Sequence, residues 1–116
     1  MIYNEVLLMG SDDDSPIVAD ITIGNDILDN LVIKLSYSVY EPGIRPDKDV
    51  CAVIDADSLA SLAKHLRIAV HEVKQYLEDK FSYGGYISRT ATVREEFHNI
   101  LNFILDNGGR YQLKSD

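Results

Sequence analysis

Between residues 17 and 40 the chain alternates apolar and polar positions. Ile17, Ala19, Ile21 and Ile23 fall on one side of an extended chain and Val18, Asp20 and Thr22 on the other, the period of two of a half-buried strand. Residues 31–40 repeat the pattern over a longer span, with Leu31, Ile33, Leu35, Tyr37 and Val39 pointing inward. Gly24, Asn25, Asp26, Asp29 and Asn30 separate the two runs and are turn formers, so the spacing predicts an antiparallel pair. The opening run, residues 2–9, reads as a third strand whose alternation is blurred by Val6, Leu7, Leu8 and Met9 in succession. A polar loop follows over residues 10–16. Residues 41–49 contain two prolines and a glycine and read as an irregular connection that divides the chain. After it, Val50–Ile54 is continuously apolar, as in a short buried strand.

From Leu59 onward the period changes. Leu59, Leu62, Ala63 and Leu66 recur at helical spacing, and Val70, Val73, Tyr76, Leu77 and Phe81 do so again after a turn near residues 67–69. Residues 83–86, with two glycines, break the pattern. Thr92 and Glu95 have the spacing of a capping box, followed by the stripe Val93, Phe97, Ile100, Leu101, Ile104 and Leu105. Asn107, Gly108 and Gly109 supply a left-handed stop, and residues 110–113 return as an edge strand. The expected architecture is a single α+β domain over residues 1–116. An antiparallel sheet of three to four strands from the first half is packed on one face by about three helices from the second. The opposite sheet face is expected to be polar and acidic, with Asp20 and Lys34 pointing outward.

Charge sharpens this picture. A chain of 116 residues supports one modest core, and its net charge is −8. Residues 1–57 carry twelve Asp and Glu against three Lys and Arg, whereas residues 58–116 carry seven against eight. Such asymmetry attracts basic partners and repels phosphate backbones. The function expected from it is that of a small non-enzymatic protein-binding module, such as an inhibitor or immunity-type protein that captures a basic protein. The candidate contact residues are Asp12, Asp13, Asp14, Asp20, Tyr40, Glu41, Asp47 and Asp49, with no catalytic residues. Tyr3, Tyr37, Tyr40, Tyr83, Tyr86 and Tyr111 flank strands and turns and suit an interface or a core rim. No apolar run approaches the roughly 20 residues of a membrane span, and the start of the chain does not read as a secretory signal. With Cys51 as its one cysteine the chain makes no intramolecular disulfide, and a cytoplasmic location is expected.

Two stretches invite sharper chemistry. Val53, Ile54, Asp55, Ala56, Asp57 and Ser58 resemble the first motif of the haloacid dehalogenase phosphatases. That resemblance implies a nucleophilic Asp55, an acid–base Asp57, bound magnesium and a doubly wound parallel sheet. The residues after Asp57 look mainly helical and end no strand in an acidic pair. The aspartates are therefore read as strand-to-helix punctuation, with Asp57 capping a helix that starts at Ser58 or Leu59. Residues 59–77 resemble a helix-turn-helix. As a DNA reader it would present Lys64, Arg67, His71, Lys74 and Gln75, though Arg67 stands where a glycine is usual and the acidity of the chain opposes phosphate binding. The spacing of residues 11–15 lacks the alternating ligands of a calcium loop, and His65, His71 and His98 lack metal-binding spacing. Cys51 reads as a buried thiol in an apolar strand. No metal or cofactor is expected.

Overall fold

The computed structural model describes residues 2–11, 17–39, 43, 48–82, 85–88 and 90–115, with the backbone alone described at 85–88 and 90. Strands β1 (Tyr3–Ser11), β2 (Ile17–Asn25), β3 (Leu31–Val39) and β4 (Val50–Ile54) come first. Helix α1 (Ala56–Leu66) follows, and a 3-10 turn (Val70–Glu72) runs into α2 (Val73–Phe81). The chain then forms β5 (Gly85–Ser88), α3 (Thr90–Asp106) and β6 (Gln112–Ser115). This is the α+β arrangement expected, with a larger sheet: six strands in the order β5-β1-β2-β3-β4-β6. Five of them pair antiparallel, and β5 joins the outer edge of β1 in parallel.

The β2–β3 pair is in unbroken register from Ile17↔Val39 to Asn25↔Leu31. Its inward residues Ala19, Ile21, Ile23, Leu31, Ile33 and Leu35 join Ala52 and Ile54 of β4 in one core with Leu59 and Leu62 of α1, Val73, Leu77 and Phe81 of α2, and Val93, Phe97, Ile100, Leu101 and Ile104 of α3. Val18 and Val32 are buried on the opposite sheet face. Strand β1 explains its own blurred pattern. Leu7 faces Thr22 and Met9 faces Ile21, leaving Leu8 as an extra residue in a bulge, and Leu8 and Met9 are both fully buried. Near its start β1 crosses tightly over Gly24, where a Cβ would press on Ile2 and lie 2.7 Å from the Tyr3 carbonyl oxygen.

Several boundaries differ from the sequence expectation. Gly10 and Ser11 belong to β1 rather than to the following loop, and the Ser11 hydroxyl accepts the Ala19 N–H at 2.8 Å. Helix α1 starts at Ala56, so its cap is Asp55, which accepts the Ser58 N–H at 2.9 Å; Asp57 lies in the first turn instead. Helix α3 starts at Thr90, which puts Thr92 inside the helix and not at a capping box. Leu105 is 49% exposed, so the buried stripe ends at Ile104. Cys51 is half-buried, facing Lys34 across the outer side of the sheet, and not enclosed. Two chain reversals follow expectation. Gly108 takes φ 85° with the Gly109 N–H on the Ile104 carbonyl at 2.9 Å. Arg67 takes φ 60° with the Ile68 N–H on the Ala63 carbonyl at 3.0 Å. No helix among the described residues is long and apolar enough to cross a membrane.

Candidate functional site

Asp12, Asp13, Asp14, Tyr40, Glu41 and Asp47 lie outside the described residues. The strands that flank them do not. Ile17 and Val39 are cross-strand partners, so the β1–β2 and β3–β4 connections depart from the same end of the sheet, here termed the loop end. Asp49, at that end, has internal partners: its carboxylate accepts the Tyr37 N–H at 3.1 Å and lies 3.6 Å from Lys34 Nζ. It satisfies a β3 donor just beyond the last β3–β4 pair, Leu35↔Val50. Asp20 sits mid-strand on the outward face of β2 between Gly10 and Ser36. Its Oδ1 is closed off from solvent without a hydrogen-bond partner among the described residues. Burial pushes its carboxyl above the ordinary value of 3.8, because desolvation disfavours the charged form.

The alternative sites are also placed. Asp55 and Asp57 stand at the start of α1, and the strand before them, β4, runs antiparallel to both its neighbours. The doubly wound parallel sheet implied by the phosphatase resemblance is not this fold. Along the helical pair, Lys64, Arg67, His71 and Gln75 are exposed and Lys74 is half-buried. Lys74 Nζ lies 3.3 Å from Glu78, and Gln75 Nε2 donates to Asp79 at 2.8 Å. Both side chains that would approach a nucleic acid from α2 are therefore held by carboxylates one turn further on. Among the described residues no three His, Cys, Asp or Glu side chains gather as a metal site.

The opposite end of the sheet, the turn end, carries a feature the sequence reading passed over. Ile27 is 81% exposed and Leu28 78% exposed, at the tip of the β2–β3 turn. The tip is braced: Asp26 Oδ1 accepts the N–H groups of Leu28 (3.0 Å) and Asn30 (2.9 Å), and its Oδ2 accepts Asn30 Nδ2 at 3.1 Å. Desolvation is the largest single influence on the Asp26 carboxyl and raises its pKa, but these donors from Asn30 and Leu28 and the nearby Lys114 charge together outweigh it, so it titrates below 3.8. Beside the tip, a groove of about 490 Å³ runs past Val53, Asp55, Arg110, Tyr111 and Lys114, with Leu28 on its wall. The signal was present in the sequence as two aliphatic residues inside a run of turn formers, where polar side chains are the rule.

No protein family, curated protein or solved structure matches this chain.

Proposed function

We propose that this chain is a non-catalytic module that captures a basic protein partner through its loop end. The observation that supports this reading is the convergence of charge with topology. Six of the twelve acidic residues of 1–57 fall in the segments between Ser11 and Ile17 and between Val39 and Val50, with two of the three basic ones, a net −4 in fifteen positions, and the Ile17↔Val39 pair makes those segments neighbours at their roots. An acidic surface of this kind speeds encounter with a cationic partner and loses that advantage as salt rises. Asp20, an incompletely satisfied carboxylate on the outer sheet face, adds negative potential that a partner's cation would neutralise.

Affinity capture from the native cell, with mass spectrometry, tests the proposal. One stoichiometric basic protein is expected, retained at low salt, released at high salt, and lost when Asp12, Asp13 and Asp14 are replaced together by Asn. Recovery of background proteins alone at every salt concentration would falsify it.

A further inference from the structure

We infer that the turn end is a self-association surface, on which the Ile27–Leu28 tip of one copy seats in the groove beside β6 of a second copy, and the reverse. Two aliphatic side chains held about four-fifths in water are unfavourable in an isolated molecule, and their turn is already ordered by Asp26, so little conformational freedom is lost on docking. The complementary surface is on the same chain. Val53 and Tyr111 give the groove apolar wall, and Arg110 and Lys114 outnumber Asp55 there and leave it net positive, while Asp26 and Asp29 flank the apolar tip. Tip and groove adjoin, since Leu28 borders both. A two-fold axis through this end therefore brings each tip to the other copy's groove, making an isologous contact in which acid-flanked aliphatics meet base-lined wall.

The connections at the loop end carry a net −4, whereas Asp26, Asp29, Asp55 and Asp57 at the turn end are offset by Arg110 and Lys114 to −2, so a turn-end contact opposes less like charge than a loop-end contact would. The inference is independent of the capture of a basic protein and leaves the loop ends of both copies open.

Sedimentation of the purified full chain over a range of concentrations tests it. The chain is expected to dimerise, and Ile27→Asp with Leu28→Asp is expected to weaken the dimer roughly thirtyfold or more, the loss typical of a central apolar anchor. Because both side chains are exposed the variant keeps its fold, which circular dichroism checks. Arg110→Glu with Lys114→Glu is expected to weaken the dimer as well, and Leu105→Asp, an exposed position on α3, to leave it intact. A chain monomeric at every concentration overturns the inference. So does a dimer indifferent to the tip or groove substitutions, or one that Leu105→Asp dissolves equally.

Discussion

Asp20 holds a carboxylate where the two flanking strands offer it Gly10 and Ser36, and its Oδ1 finds no donor among the described residues. Its folded pKa lies above the 3.8 of the open chain, so the folded state binds the proton more tightly. Stability consequently falls as pH rises from 3.8 through the folded value and stays lower above it. Asp20→Asn is expected to stabilise the fold by about 1 kcal/mol at neutral pH, with the gain vanishing below pH 3.8. Urea unfolding of both proteins across that pH range measures it, and a gain independent of pH contradicts the assignment. Arg67 carries a different burden, a left-handed backbone at φ 60° in a residue with a Cβ. Arg67→Gly relieves it, offset in part by greater freedom of the unfolded chain, for a net gain of about 0.5–1 kcal/mol seen as a higher denaturation midpoint.

At the scale of elements, the β2–β3 turn depends on one side chain. Asp26→Ala removes three accepted hydrogen bonds; exposure to water limits the cost to about 1 kcal/mol. Because the Asp26 pKa is depressed, its contribution is present above pH 3.8 and is lost as pH falls through the folded value, which sets it apart from Asp20 in an acid titration. Gly24→Ala is costlier, about 1–3 kcal/mol, because its Cβ would push on Ile2 and the Tyr3 carbonyl where β1 crosses. Strands β2 and β3 and the stripe of α3 were legible in the sequence because each has one face in the core and one in water, so periodicity reports burial directly. Strand β1 was less so, since its bulge sends Leu8 and Met9 to the core in succession. Strand β5 was hidden: two glycines read locally as a break, and what makes Gly85–Ser88 extended is the free edge of β1, a partner far away in sequence. Helix starts slipped for a related reason. Asp55 and Asp57 are both competent caps, and the choice falls to Asp55 because pairing with β3 ends at Leu31↔Ile54.

For the whole molecule, the uneven charge is the main long-range force. A net charge of −8, concentrated in the first half, opposes compaction by self-repulsion, and added salt screens it within about 10 Å at 0.1 M. The thermal midpoint is therefore expected to rise between low and moderate sodium chloride under dilute conditions, a trend a scanning calorimeter reads. A midpoint that falls with salt would show that attractive pairs such as Lys34–Asp49 dominate instead. The candidate sites divide by the same scale. Composition pointed to an acidic loop end, while the exposed tip depends on a turn geometry that composition does not report.

Both borders of the sheet come from the final segment of the chain: β5 closes the flank of β1, and β6 closes the flank of β4, with α3 strung between them. During synthesis the four-stranded meander is complete well before either border emerges from the ribosome. A nascent chain stalled before residue 85 therefore displays two unsealed rows of amide and carbonyl groups, the form most prone to clump with its neighbours or to need a chaperone.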